Sequence, residues 1–98
     1  MIEVRQTAIF REWLDGLSDK RAASRIAQRI VRLEVGLVGD ARPVGGGVSE
    51  LRVDYGPGYR VYFVRHGEVM IILLCGGDKR SQRRDIDRAK TLAAELEV

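Results

Sequence analysis

Ninety-eight residues, 45% apolar and 32% charged, fit one small soluble domain spanning 1–98 and leave no room for a second core. One cysteine, Cys75, excludes an internal disulfide framework, and the longest apolar run, Val69 to Cys75, is too short to span a bilayer. The net charge is +3, and 14 of the 17 basic residues are arginine, the side chain suited to bidentate phosphate recognition, which points to an anionic partner.

The first residues, MIEVRQTAIFREW, lack the basic-then-apolar layout of a signal peptide, so a cytoplasmic location without membrane contact is expected. Residues 2–6 alternate apolar and polar, as a short strand does. Thr7 can cap a helix in which Phe10, Trp13, Leu14 and Leu17 form one apolar stripe, with Trp13 read as core. Asp15-Gly16 ends that helix, and Ser18 or Asp19 can start the next, expected over about 19–36. Ala23, Ile26, Ile30, Leu33 and Leu37 are its expected buried face. Arg21, Arg25, Arg29 and Arg32 make a second stripe, either a solvated face or a track for RNA phosphates or an acidic partner. The two helices are expected to pair as an antiparallel hairpin. Dense Gly and Pro over 39–48 (GDARPVGGGV) read as a flexible connector. The triple glycine lacks the Lys-Ser/Thr of a phosphate-binding loop.

The stretch ELRVDYGPGYRVYF reads as a hairpin around Gly56-Pro57-Gly58. A three-residue loop pairs Tyr55 with Tyr59, Val53 with Val61 and Leu51 with Phe63, placing four apolar residues on one face. The same register sets Asp54 opposite Arg60 and Arg52 opposite Tyr62 on the other face. After a turn at His66-Gly67, Val69–Cys75 is apolar throughout, the pattern of a strand covered on both sides. Gly76-Gly77 ends it, and Asp78 or Ser81 caps a last helix. Ile86, Ala89, Ala93 and Leu96 give that helix an apolar face, and Lys79, Arg80, Arg83, Arg84 and Arg88 crowd its first turns. Cys75 is expected to be a buried filler.

One histidine and one cysteine cannot make a zinc site, so neither metal nor other cofactor is expected. What remains is a cationic and aromatic face. Arg52, Arg60 and Tyr62 lie together on the hairpin, with Lys79 and Arg80 where the central strand gives way to the helix. Such a group can hold a phosphate and neutralise a pentavalent transition state, while Tyr55, Tyr59 or Tyr62 can stack on bases. Equally, Asp54–Arg60 can be an ordinary cross-strand ion pair over packed tyrosines.

The order β-α-α-β-β-β-α, with GYRVYF and the later GGDK before an amphipathic helix, resembles the RelE/ParE toxin superfamily, and more narrowly its HigB-like group of phage-derived addiction module killer proteins. The resemblance implies an α+β RelE-like microfold: two N-terminal helices on a four-stranded, mostly antiparallel sheet, plus a C-terminal helix. It implies the toxin of a bacterial type II toxin–antitoxin system, an endoribonuclease that cleaves mRNA on the ribosome by attack of the 2′-OH on phosphate. It also implies a small helix-turn-helix antitoxin of the HigA-like kind as partner in a hetero-oligomer. Carried onto this chain, the catalytic residues are Arg60, Arg52, Lys79 and Arg80, and the substrate-binding residues are Tyr62, Tyr59, Arg83 and Arg84. Alternatives are a toxin of the ParE kind that acts on DNA gyrase, and a non-toxic module that only binds an antitoxin. Gln82 to Asp85 contains neither the Tyr nor the His that better-understood members place there, so the sequence assigns no general base.

Overall fold

The computed structural model describes residues 1–96. The elements follow the chain as β1 (Glu3–Gln6), α1 (Ala8–Asp15), α2 (Lys20–Glu34), β2 (Ala41–Gly45), β3 (Val48–Val53), β4 (Tyr59–His66), β5 (Met70–Asp78), a 3-10 turn (Lys79–Ser81) and α3 (Gln82–Glu95). The strands form one sheet in the order β1-β5-β4-β3-β2, antiparallel except for the β1–β5 pair. Among the described residues, no helix is long and apolar enough to cross a membrane.

The sheet separates two apolar layers. Phe10, Ile26, Leu33, Leu51, Val61 and Leu73 lie on the α1/α2 side, and Val48, Tyr62, Ile72, Leu74 and Ala89 on the α3 side. Alternation along β3 and β4 produces this split, since successive side chains point to opposite faces. β5 serves both layers, which is why its sequence is apolar without alternation. α1 starts where Thr7 Oγ1 accepts from Phe10 N, and α2 where Asp19 accepts from Arg21 N and Ala22 N. α2 stops at Glu34, sooner than its apolar spacing suggests. Gly36 adopts φ +84°, and Gly36 N and Leu37 N donate back to Leu33 and Arg32 carbonyls. Leu37 therefore leaves the helix and is exposed, and the first buried alanine is Ala22 rather than Ala23.

Three further expectations are corrected. The sheet has five strands rather than four, because residues 41–45 form an edge strand on β3. Its proline is tolerated at an edge, where one side of the backbone has no strand to donate to. The triple glycine is the hairpin turn between β2 and β3, with φ of +62° and +77° at Gly46 and Gly47. The β3–β4 register differs from the expected one by two residues: Val53 opposes Tyr59, Leu51 opposes Val61, and Glu50 opposes Tyr62. Five residues, 54–58, form the loop, closed by Gly58 N donating to Tyr55 O. A shift of two leaves every residue on its expected face, so the core is as anticipated while the partners change.

Gly76 and Gly77 do not end β5, which continues to Asp78. A Cβ on Gly76 would enter the Trp13 ring, and one on Gly77 would collide with the Asp85 carboxylate. Both glycines let a side chain lie directly on the strand backbone. A Leu74 bulge in β5, between the Phe63–Leu73 and Tyr62–Cys75 pairs, aims Gly76 at α1 and Gly77 at α3. Cys75 is buried, and burial pushes its thiol up to about 11. Replacement Gly76→Ala is expected to destabilise the fold by about 1–3 kcal/mol through overpacking against Trp13. Urea unfolding checks this, and the loss should shrink in a Trp13→Leu background.

Candidate functional site

The corrected register places Arg52 directly opposite Arg60. Like charges facing each other across an antiparallel pair are destabilising without counter-charge. Asp40 serves Arg52, whose Nε and Nη2 both donate to its Oδ1 at 3.3 and 3.2 Å. Both side chains are well exposed, so this pair contributes little, about 0–1 kcal/mol. Glu50 serves Arg60 from below. Its side chain is wholly buried, and its Oε1 lies 3.8 Å from Arg60 Nε.

Glu50 is the hub of a small polar network under α3. Tyr62 Oη donates to Glu50 Oε2 at 3.2 Å, Gln82 Nε2 donates to the same oxygen at 2.8 Å, and Arg42 Nε donates to Oε1 at 3.3 Å. Four elements thus converge on one carboxylate: β2, β3, β4 and α3. Burial, and then the Glu50 charge beside it, holds the Tyr62 hydroxyl well above the usual phenol range. Tyr62 therefore keeps its proton and donates a hydrogen bond to Glu50.

Arg60 is held unusually. Its side chain is 10% exposed, and its Nη1 donates to the carbonyls of Gly58 at 3.0 Å and Tyr59 at 3.3 Å. Among the described residues, neither buried Nε nor Nη2 has a hydrogen-bond partner. The guanidinium is fixed by its backbone contacts and Glu50 while part of its donor capacity stays unused. It lines a cleft of about 430 Å³ together with Arg52, Lys79, Asp40, Asp54 and the loop Gly56-Pro57-Gly58. Gly58 has φ +83°, and a Cβ there would sit 3.2 Å from Arg60 Nη1 and 3.6 Å from Lys79 Cβ. Glycine allows the loop to close over both cations.

A second, more open groove lies beside the first, lined by Asp78, Arg80, Ser81, Arg83, Arg84 and Asp87. Asp78 caps the 3-10 turn, accepting from Arg80 N at 2.8 Å and from Arg80 Nη2 at 3.2 Å. The Arg80 side-chain hydrogen bond is the main cause holding the Asp78 carboxyl below its usual range. Ser81 Oγ donates to Asp85 Oδ2 and ties the turn to α3.

Of the residues singled out in the sequence, Arg52, Arg60 and Lys79 come together in one cleft. Arg80, Arg83 and Arg84 gather in the neighbouring groove. Tyr62 and Tyr59 join neither. Tyr62 is fully buried under α3 and offers no ring face to a base, while Tyr59 lies on the opposite side of the sheet, edge-on to Trp13 at 6.3 Å. Asp54 does not pair with Arg60 across the strands; it lies in the loop. His66 ends β4, about 20 Å from Arg60 at strand rise. The arginine stripe of α2 is partly structural: Arg29 donates to the carbonyls of Arg52 and Val38, and Arg25 lies 4.7 Å over the Tyr55 ring. Glu50 was missed by sequence reasoning. Its signal was parity: it shares a face with Arg52, and the true register puts it opposite Tyr62.

Residues 12–96 match the family described as phage derived protein Gp49-like. The chain belongs to that family. An uncharacterized protein of Haemophilus influenzae (strain KW20 Rd) is 48% identical over 95 residues, covering 97% of this chain and 96% of that one. In fold, the chain is similar to a chain of the RelBE2 toxin–antitoxin complex of Mycobacterium tuberculosis, with a TM-score of 0.61 at 20% identity over 80% of this chain and 98% of that one. The α+β arrangement is thus that of a RelE-like fold with five strands.

Replacing Glu50 by Ala leaves a buried guanidinium without its counter-charge and three donors without an acceptor. The expected loss is about 3–5 kcal/mol in urea unfolding. Glu50→Gln keeps an acceptor oxygen and is expected to lose less. A loss under about 1 kcal/mol for Glu50→Ala would contradict the network.

Proposed function

We propose that this chain is the toxin of a bacterial type II toxin–antitoxin pair and acts as an endoribonuclease on mRNA held by the ribosome. Its RelE-like fold supports the toxin reading, and its place in a phage-derived family agrees with the HigB-like branch of that superfamily. The observation that carries the nuclease reading is Arg60: nine-tenths buried, fixed by Gly58, Tyr59 and Glu50, and left with free donor capacity in a cleft shared with Arg52 and Lys79. Preorganised cations of this kind do little for a neutral ligand and much for a phosphate gaining charge.

In this reading the scissile phosphate sits in the cleft. The adjacent ribose 2′-OH attacks phosphorus, the bond to the 5′-oxygen breaks, and a 2′,3′-cyclic phosphate remains. Arg60 and Lys79 neutralise the phosphorane oxygens, with Arg52 as a third positive wall. Arg80, Arg83 and Arg84 hold the flanking backbone from the neighbouring groove. The partner is a small helix-turn-helix antitoxin of the HigA-like kind, an assembly supported by the toxin–antitoxin complex that shares the fold. Residues 1–98 act as one toxin domain in the cytoplasm, where ribosomes and mRNA are.

Induction of the gene in a bacterium is expected to arrest growth, and primer extension should find codon-spaced cuts confined to translated regions. Arg60→Ala and Lys79→Ala are each expected to lower cleavage by roughly 10²-fold or more. Lys79 is exposed, so its replacement leaves the core intact. Growth arrest that survives Arg60→Ala with mRNA intact would overturn the nuclease reading in favour of a target such as gyrase. No growth effect would favour a module that only binds an antitoxin.

A further inference from the structure

The cationic cleft is lined by carboxylates as well as by cations. An attacking hydroxyl loses its proton fastest to a positioned side chain, so the side chains lining the cleft are the first candidates to accept it. Arg52 and Arg60 cannot serve, because arginine does not give up its proton in proteins, and Lys79 carries an ammonium with three donors and no acceptor. Pro57 and the two glycines offer no side-chain acceptor. That leaves two carboxylates among the lining residues, Asp40 and Asp54.

These two are not equivalent. Asp40 is engaged by Arg52, which donates from both Nε and Nη2 to one of its oxygens. The Asp40 backbone is also committed: its carbonyl accepts from Arg52 N. Asp54 makes no side-chain hydrogen bond or ion pair among the described residues. It is exposed and follows directly on β3, two residues after Arg52 and opening the loop that reaches Gly58 beside Arg60 and Lys79. A loop carboxylate that is spared by three nearby cations is free to face a substrate hydroxyl rather than a protein donor.

We propose that Asp54 is the general base of the cleft, acting on the ribose 2′-OH of a single-stranded RNA. This rests on the nuclease reading above. Asp54 accepts the 2′-OH proton as the bond from the 2′-oxygen to phosphorus forms. The bond from phosphorus to the 5′-oxygen breaks, and that oxygen takes a proton from the Lys79 ammonium. The products are a 2′,3′-cyclic phosphate and a 5′-hydroxyl. Solvent then carries the proton from the Asp54 carboxyl, and a proton returns to Lys79, so the cleft is restored with no net gain or loss.

The test is single-turnover cleavage of mRNA on programmed ribosomes by the purified full chain, with the toxin concentration varied to separate the maximal rate from half-saturation. Asp54→Asn is expected to lower the maximal rate on the order of 10²-fold or more. Half-saturation should stay within about twofold, and the melting temperature should stay close to wild type. Asp40→Asn removes a like charge from the same cleft and is expected to lower the rate by less than about tenfold. The proposal is overturned if Asp54→Asn cleaves within about threefold of wild type, if half-saturation weakens in step with the rate, or if Asp40→Asn carries the larger loss. A wild-type chain that binds the ribosome and leaves mRNA intact would instead overturn the nuclease reading, and the general base with it.

Discussion

Two arginines face each other near the loop end of the β3–β4 hairpin, and the rest of the candidate site follows from how that repulsion is managed. Arg52 lies at the surface, where water and Asp40 suffice. Arg60 lies beneath the surface, where they do not. A buried guanidinium needs a buried anion, and Glu50 supplies it from the neighbouring strand. Burying that anion in turn requires donors, which come from Tyr62 on the same sheet face, Gln82 on α3 and Arg42 on β2. One charge pair therefore ties the last helix and the edge strand to the hairpin. The cleft exists because Arg60 reaches past this network to its rim.

The same logic separates two kinds of positive charge in the molecule. Arg29 spends its guanidinium on backbone carbonyls and holds α2 to β3, and Arg80 is drawn to Asp78 at the turn. Their contribution is to architecture as well as to field. Arg60 and Lys79 retain donor capacity toward the cleft, and the glycines at 56 and 58 bring the loop close without filling it. A net charge of +3 is small for a nucleic-acid ligand, so placement matters more than total charge.

Much of the fold was legible because strand parity and helix spacing are local. The faces of β3 and β4, the helix caps at Thr7 and Asp19, the doubly covered β5 and the core position of Trp13 all follow from neighbours in sequence. Register is not local in that sense. A slip of two residues preserves every face, so parity alone could not tell an Asp54–Arg60 pair from the observed Arg52–Arg60 pair. β2 was invisible for a related reason: its backbone, rather than an alternating side-chain pattern, holds it to β3, and Ala-Arg-Pro-Val-Gly carries no strand signature. Gly76 and Gly77 looked like a terminator because sequence does not show what approaches a glycine from another element. Of the expected site residues, Arg52, Arg60 and Lys79 share one cleft, Arg80 lines the neighbouring groove, and Tyr62 lies buried. Its partner is buried Glu50, and burial of both turned an apparent substrate platform into a structural donor.

The central claim is that Glu50 and Arg60 act as one unit. A double-mutant cycle on unfolding free energy, using Glu50→Gln, Arg60→Met and the pair, measures this most directly. The account predicts a coupling of about 1–3 kcal/mol, with the double variant more stable than the sum of the two single losses implies. Additive losses, with coupling within about 0.5 kcal/mol, would contradict it.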